Sequence, residues 1–181
     1  TMTQSLRGVV AAIATPITDG HKPDAARFLK LAQHLLDNGC DALNVLGTTG
    51  EATSFALPDR LALMSAAAGA LDRSRMMVGT GAAALGDAIT LTRHAGELGF
   101  AGALVLPPFY YKGVSDDGVF DYVKAIVEAT ADKPAPLYLY HYPALSGVPY
   151  TPELVGRLIE AFPQRVVGLK DSSGDLAYER L

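Results

Sequence analysis

Several features that would assign a chain to a specialised class are scarce in this sequence. One cysteine in 181 residues excludes an internal disulfide framework and suits a reducing compartment, so we expect a soluble, cytoplasmic protein. No apolar run approaches the ~20 residues needed to cross a bilayer. The Lys and Arg residues are scattered and the formal charge is −4, which gives no basic surface for nucleic acid or an anionic membrane. These shortages leave small neutral or anionic molecules as the expected ligands.

Apolar side chains, in contrast, are abundant and regularly arranged. Hydrophobic residues make up 49% of the chain and charged residues 19%, so we expect residues 1–181 to form one domain with a full core. Six strand-like apolar runs alternate with helical patterns, about 30 residues apart, which is the length of one strand-helix-strand unit. The runs start at Gly8, Ala42, Met76, Gly102, Ala135 and Val166. The first run, within RGVVAAIATP, has the charge and Ala-x-Ala spacing of a secretory signal, but it is short and flanked by polar residues, and we interpret it as a strand.

Helix signals fill the intervals between the runs. The segment from Asp24 to Asn38 carries an apolar face and ends before Gly39, and further helices are predicted to start near Pro58, Gly86, Asp116 and Thr151. Strands that are apolar on both faces and joined by helices predict an α/β fold with a parallel sheet, either open and doubly wound or closed as a barrel. A complete eight-unit barrel takes about 250 residues. A barrel would therefore have only its first six βα units in this chain.

Functional groups in either architecture gather at the carboxyl ends of the strands. The second run is followed by GTTGE, Gly47 to Glu51, in which two glycines allow a tight turn whose backbone N–H groups can point at one anion. Thr48 and Thr49 add two hydroxyl donors. The loop fits a carboxylate and lacks the lysine of a nucleotide-binding P-loop. A plain β-to-α turn is the alternative from this motif alone.

The sixth run ends in a lysine, a residue almost never fully buried unless it is paired or used chemically. Strand alternation places Val166, Gly168 and Lys170 on one face, and the missing side chain at Gly168 leaves space beneath the lysine. A desolvated amine becomes neutral and can attack a ketone to form a Schiff base. The alternatives for Lys170 are an ion pair with Asp171 or an amine that reaches solvent.

Tyr140, near the end of the fifth run, can reach chemistry at Lys170 because neighbouring parallel strands lie ~4.8 Å apart. Imine formation needs a proton carried to and from the carbinolamine oxygen, and a tyrosine hydroxyl in a hydrogen-bond chain with Thr49 can carry it. Core packing is the alternative for an isolated aromatic residue. The four histidines and the cysteine have no metal-ligand spacing with carboxylates, so no metal site is predicted.

GTTGE, YHYPALSGV and GLKDSSGD stand in that order at the ends of the second, fifth and sixth runs. Together they resemble the superfamily of dihydrodipicolinate synthase and N-acetylneuraminate lyase, from about Gly8 to the end of the chain. The resemblance implies a (β/α)8 TIM barrel. It also implies a class I pyruvate-dependent aldolase that needs no cofactor and assembles as a dimer or tetramer of identical subunits.

The resemblance assigns roles to individual residues. Lys170 matches the lysine that holds pyruvate as a Schiff base, and Tyr140 matches the tyrosine that moves protons. Thr48 and Thr49, with Gly47 in the same loop, match the segment that binds the pyruvate carboxylate. In this assignment Thr49 also links into the hydrogen-bond chain of the tyrosine.

Two loops differ from the pattern of the synthases. PPFYY has one extra residue, so the tyrosine that a synthase lends across a subunit interface matches Tyr111 or else Tyr110. In PALSG, Leu145 stands where a synthase has an arginine for the carboxylate of its aldehyde, and a leucine cannot bind that group. PALSGV, PFYY and SSGDL look closer to the sialic acid lyase and sugar-acid aldolase branches.

We therefore expect a pyruvate-dependent lyase in which a 2-oxo acid forms an imine on Lys170, and a carbon–carbon bond to an aldehyde or sugar-acid partner is cleaved or formed. The alternatives within the enzyme class are a 2-keto-3-deoxy sugar acid dehydratase and a dihydrodipicolinate synthase, both acting through the same imine. The alternative from another class is a non-catalytic 2-oxo acid binding protein, in which GTTGE holds a carboxylate but six units cannot complete a reaction.

Overall fold

Six parallel strands form one sheet in chain order. The computed structural model describes residues 6–180. The strands are β1 (Val10–Ala12), β2 (Ala42–Val45), β3 (Met76–Gly79), β4 (Gly102–Val105), β5 (Leu137–His141) and β6 (Val166–Asp171). Each strand pairs in parallel with the next one along the chain. This order is that of a (β/α) barrel, because a doubly wound sheet reverses its strand order at a switch point.

Helices connect the strands and cover the outside of the sheet. They are α1 (Ala25–Asp37), α2 (Leu57–Ala70), α3 (Leu85–Leu98), α4 (Asp116–Ala129), α5 (Pro143–Ser146), α6 (Pro152–Ala161) and α7 (Leu176–Glu179), with 3-10 turns at Ala52–Ser54 and Arg73–Arg75. Within residues 6–180, no helix has the length and apolar character needed to cross a membrane. That residues 1–181 belong to a single barrel domain stays a prediction.

Local signals place these elements where the sequence predicts them. Four of the six strands start at the predicted residue, and β1 and β5 start two residues later. The carboxylate of Asp24 accepts a hydrogen bond from the Arg27 N–H at 3.0 Å, and the hydroxyl of Thr151 accepts one from the Leu154 N–H at 3.2 Å. These side chains satisfy backbone donors that a helix leaves unpaired in its first turn, so they fix where α1 and α6 begin.

The two faces of the sheet bury different side chains. The larger core lies between the sheet and the helices and includes Leu137 and Leu139 of β5. The inner face carries a smaller cluster in which Met77, Leu104 and Tyr140 are buried. Burial on both faces is the reason the strand sequences read as nearly continuous apolar runs.

A β-bulge at Val167 changes which residues of β6 share a face. Leu137 pairs with Val166, whereas the next residue, Tyr138, pairs with Gly168, so Val167 has no partner on β5. Val166 accordingly packs in the outer core with Leu137. The prediction that Val166 shares a face with Gly168 is wrong, because one extra residue inverts the alternation of a strand.

The ring of Tyr138 fills the space that Gly168 leaves on the inner face. A Cβ at Gly168 would lie 2.6 Å from Cδ1 of Tyr138, and a Cβ at Gly102 of β4 would lie 2.5 Å from Cε2 of the same ring. The ring is wedged between two glycines on the strands flanking β5. The space predicted beneath Lys170 is therefore occupied, and the ring supports the part of β6 that carries the lysine.

We expect Gly168→Ala to lower the free energy of unfolding by about 1–3 kcal/mol, because the wedged ring has no room to move away from an added methyl group. Gly156→Ala is the matched control, since an added Cβ at Gly156 in α6 has no heavy atom within 4 Å. Alanine there should raise the free energy of unfolding by about 0.5–1 kcal/mol through helix propensity. Urea unfolding followed by circular dichroism measures both changes. Equal changes in the free energy of unfolding for the two substitutions would contradict the tight packing of the Tyr138 ring against Gly168.

Candidate active site

The GTTGE loop after β2 is held in a tight conformation. Leu46, which precedes the loop, and Glu51, its last residue, have φ values of 52° and 53°, in the left-handed region that non-glycine residues rarely adopt. A Cβ at Gly79 of β3 would overlap the carbonyl oxygen of Leu46, so glycine is required for this close approach. The hydroxyl of Thr15 donates to the carbonyl oxygen of Gly50 at 2.8 Å. Contacts from the two neighbouring strand ends thus fix the loop backbone.

Three hydroxyl groups meet where β2, β5 and β6 end. The hydroxyls of Tyr140 and Thr48 are 3.2 Å apart, and either can donate. The Ser172 hydroxyl donates to the Tyr140 oxygen at 3.4 Å. The loop residue that shares a hydrogen bond with Tyr140 is therefore Thr48, whereas the prediction linked Tyr140 to Thr49. Thr49 is the next residue of the turn, and both threonines are exposed, so exposure does not distinguish them.

Ser172 is a member of this cluster that the motif comparison missed. Strand alternation could have identified Ser172 from the sequence, because it follows Lys170 by two residues and so lies on the same face. The backbone N–H of Ser172 also donates to the carbonyl oxygen of His141 at 2.9 Å, which continues the pairing of β5 and β6 beyond the last strand residue. This pairing places the Ser172 hydroxyl against Tyr140.

The amine of Lys170 lies against the ring of Tyr140. The two residues are direct partners across β5 and β6, and Nζ is 4.2 Å from the ring centroid. Asp171 points elsewhere, since its carboxylate accepts hydrogen bonds from the backbone N–H and the hydroxyl of Ser173 at 2.9 and 3.0 Å. The ion pairs among residues 6–180 do not include one between Lys170 and Asp171. A cation on a tyrosine face is favourable by itself, so Lys170 needs no carboxylate partner.

The environment of Tyr140 favours its ionised form. Burial raises the pKa of the phenol, but hydrogen bonds with Ser172 and Thr48 and the charge of Lys170 outweigh burial, so the pKa lies below the ordinary value of 10.0. A phenol with a lowered pKa gives up its proton more readily. Tyr140 is thus suited to passing protons between a bound molecule and neighbouring hydroxyls.

A cavity of about 270 Å³ opens beside this cluster. Gly47 and Thr48 line it on one side, Tyr140 lies in its wall, and Leu145 and Phe109 close it from the loops after β5 and β4. Most of the remaining lining is apolar. Such a cavity, with a few convergent polar groups, is the usual form of a small-molecule site.

The aromatic loop after β4 divides between the cavity and the surface. Phe109 lies in the cavity wall, whereas Tyr110 and Tyr111 are 74% and 79% exposed and pack edge-to-face with centroids 5.2 Å apart. The structure therefore does not bring Tyr111 to Tyr140 within this chain. The amine of Lys112 donates to the carbonyl oxygen of Ser146 at 2.8 Å, and also to that of Phe109. This lysine ties the loops after β4 and β5 together.

His141 anchors the end of β5 from the opposite face of the sheet. Its Nδ1 accepts the backbone N–H of Tyr150 at 3.1 Å, so the neutral ring carries its proton on Nε2, and the ring stacks on Tyr178 at 3.9 Å. Burial lowers the pKa of His141, although nearby Asp171 and Asp175 oppose the shift. Within the described part of the chain, no three His, Cys, Asp or Glu side chains are grouped as metal ligands would be.

Comparison with known proteins identifies the family of the chain. The model of the dihydrodipicolinate synthetase family matches residues 5–181. An uncharacterized DapA-like lyase of Chloroflexus aurantiacus is 36% identical over 177 residues, which are 97% of this chain and 58% of that protein.

Solved structures share the fold. Dihydrodipicolinate synthase from Agrobacterium tumefaciens has a TM-score of 0.91 at 34% identity, covering 96% of this chain and 61% of that one. YagE, a prophage protein of Escherichia coli K12 crystallised with pyruvate, has a TM-score of 0.88 at 29% identity, covering 96% of this chain and 57% of that one. The chain thus spans about three fifths of the length of these relatives.

The family match extends over nearly the whole chain, and the six consecutive parallel strands are those of the barrel that its relatives adopt. The loops that carry the three motifs meet at one end of the sheet, where Thr48, Tyr140 and Lys170 lie together. The chain belongs to the dihydrodipicolinate synthetase family.

Proposed function

We propose that this protein acts as a pyruvate-dependent class I aldolase or lyase with Lys170 as its Schiff-base residue. The observation that carries the proposal is the position of the Lys170 amine, 4.2 Å from the ring of a tyrosine whose hydroxyl is bonded to Thr48 in the GTTGE loop. The arrangement supports the proposal, because imine chemistry needs a nucleophile, a proton carrier and a carboxylate site close together.

The proposed reaction begins when the neutral amine of Lys170 attacks C2 of a 2-oxo acid. The ketone oxygen takes up a proton, a carbinolamine forms, and loss of water leaves a positively charged imine. As the C3–C4 bond breaks, its electron pair passes to the imine nitrogen and gives an enamine. The C4 hydroxyl loses its proton to Tyr140 in the same step and becomes the carbonyl group of the released aldehyde. Bond formation follows the same steps in reverse, and no cofactor is required.

Other residues hold the substrate and move protons. The backbone N–H groups of the loop from Gly47 and the hydroxyls of Thr48 and Thr49 bind the carboxylate of the 2-oxo acid. Tyr140 delivers a proton to the ketone oxygen as the amine attacks, takes up the proton that the nitrogen then loses, and passes it to the carbinolamine hydroxyl, which leaves as water. Its lowered pKa and its bonds with Thr48 and Ser172 allow it to exchange protons in this way. YagE, the relative crystallised with pyruvate, supports pyruvate as the 2-oxo acid.

The partner substrate is proposed to be a sugar acid or a neutral aldehyde. Leu145 lines the cavity with 60% of its surface exposed, and it offers no charge for a carboxylate-bearing aldehyde. A dihydrodipicolinate synthase activity is the second candidate, and the Agrobacterium tumefaciens relative favours it. A dehydratase that acts on a 2-keto-3-deoxy sugar acid would use the same imine.

Tyr111 is proposed to reach the site of a neighbouring subunit in a homodimer or homotetramer. Its side chain is 79% exposed and lies on the loop that also forms the cavity wall through Phe109. An exposed pair of tyrosines is typical of a surface that a protein partner covers.

Product analysis with the natural full-length protein tests the proposed function. A 2-keto-3-deoxy sugar acid should release pyruvate and an aldehyde if the protein is an aldolase, and should lose water without releasing pyruvate if it is a dehydratase. Pyruvate with a carboxylate-bearing aldehyde tests the synthase alternative. Imine formation on Lys170 without turnover of any of these would support the non-catalytic binding protein, and absence of both would reject the function.

A further inference from the structure

Two residues within 6–180 hold the buried side-chain nitrogen and oxygen atoms that lack a hydrogen-bond partner. They are Asn44, with both amide atoms unpaired, and Arg60, with Nε unpaired. The other nitrogens of the Arg60 guanidinium donate to the carbonyl oxygens of Gly81 and Gly79 at 2.8 and 2.9 Å, so that side chain braces the backbone. The Asn44 amide, in contrast, makes no hydrogen bond that braces the backbone. An unpaired buried amide costs free energy, so its presence points to a binding partner supplied from outside the chain.

Asn44 lies on the inner face of the sheet, next to Gly47, the first residue of the GTTGE loop. It is 3% exposed and pairs with Ala12 of β1 and Met77 of β3. Met77 packs in the same inner cluster as Tyr140. The Asn44 Nδ2 atom would be 2.6 Å from a Cβ placed on Gly47. The amide therefore reaches the underside of the loop, on the face that carries the reacting groups.

We propose that Asn44 binds the carboxylate of the 2-oxo acid, with its amide N–H donating from below the loop that begins at Gly47. This inference rests on the proposed function. A carboxylate accepts about four hydrogen bonds, and the hydroxyl of Thr48 is already shared with Tyr140. The unpaired amide of Asn44 adds one donor to those that the loop supplies. Gly47 lines the cavity and has no side chain, so only the backbone of this residue lies between the Asn44 amide and the cavity.

Two substitutions in the natural full-length protein test the role of Asn44. Asn44→Leu keeps the shape and removes the donor, so the pyruvate concentration for half-maximal borohydride trapping at Lys170 should rise about ten- to a hundredfold. The thermal midpoint should stay the same or rise, since an apolar group replaces an unpaired polar one. Asn44→Asp places a negative charge beside the carboxylate and should raise the half-maximal concentration further.

A pyruvate dependence of Asn44→Leu within about twofold of the wild type overturns the proposal. That result, together with a lower thermal midpoint, would show that the amide has a structural partner or holds only a water molecule. Should Asn44→Leu not fold, Asn44→Asp decides the question, because it is nearly isosteric and an unchanged pyruvate dependence contradicts a carboxylate contact.

Thermal stabilisation by pyruvate separates this inference from the proposed chemistry. If the wild type traps no adduct but pyruvate raises its thermal midpoint, and Asn44→Leu loses that rise, then Asn44 binds the 2-oxo acid and the imine mechanism fails. If the rise persists in Asn44→Leu, the Asn44 contact is rejected. A wild type that is neither trapped nor stabilised by pyruvate overturns both.

Discussion

Lys170→Ala should reduce the covalent trapping of pyruvate by borohydride by at least about a thousandfold, to the detection limit of mass spectrometry. The reduced adduct forms only through an imine, and within the described chain Lys170 is the lysine placed on the inner face against Tyr140. Intact mass followed by peptide mapping identifies the modified residue. The fold should survive, because Lys170 makes no ion pair within residues 6–180 whose loss would leave a buried charge.

Two further lysine variants control this experiment. Lys170→Arg keeps a cation over the Tyr140 ring but cannot form the imine, since a guanidinium is not deprotonated in proteins. It should match Lys170→Ala in trapping. Lys112→Ala removes a lysine from the adjacent loops and should retain the adduct, because the Lys112 amine is engaged with backbone carbonyls. An adduct that persists in Lys170→Arg, or that maps to Lys112, would refute Lys170 as the nucleophile.

The positions of the strands could be predicted from the sequence because burial on both faces leaves unbroken apolar runs. Four strand starts agree to the residue for that reason. Whether the sheet closes into a barrel was harder to predict, since an open sheet and a barrel bury the same pattern of apolar residues. Only the resemblance of GTTGE, YHYPALSGV and GLKDSSGD to known motifs favoured the barrel. The strand order in the structure then excludes the doubly wound alternative.

The arrangement of the site was predictable only where strand alternation is regular. The spacing of neighbouring strands predicted that Tyr140 can reach Lys170, and the structure pairs the two residues. Alternation from Lys170 would have added Ser172. It failed for Val166, because a bulge has no marker in an apolar sequence such as VVGL. Strand alternation also could not choose between Thr48 and Thr49, because these residues lie in a turn. The backbone of that turn, with left-handed residues at Leu46 and Glu51, decides which hydroxyl faces Tyr140.

Tyr140→Phe should lower turnover by about 10²- to 10⁴-fold, the usual contribution of a positioned proton carrier. The substitution keeps the ring that packs in the inner cluster and contacts Lys170, so the protein should fold with a modest loss of stability. Trapping by borohydride should become slower while its final extent stays close to that of the wild type. Single-turnover kinetics measures the effect. Turnover within a few-fold of the wild type would show that protons reach the substrate by another route.

The pH profile provides a second test of Tyr140 that packing alone would not affect. A phenol that must donate a proton loses this ability as the pH rises through its pKa, so activity should fall on the alkaline side. The fall should begin below the ordinary pKa of 10.0, because bonds with Ser172 and Thr48 and the charge of Lys170 outweigh burial. Thr48→Val removes one of the interactions that lower the pKa and should move the alkaline limb to higher pH. If the alkaline fall in activity persists in Tyr140→Phe, or keeps its pH in Thr48→Val, the proton transfer belongs to a different group.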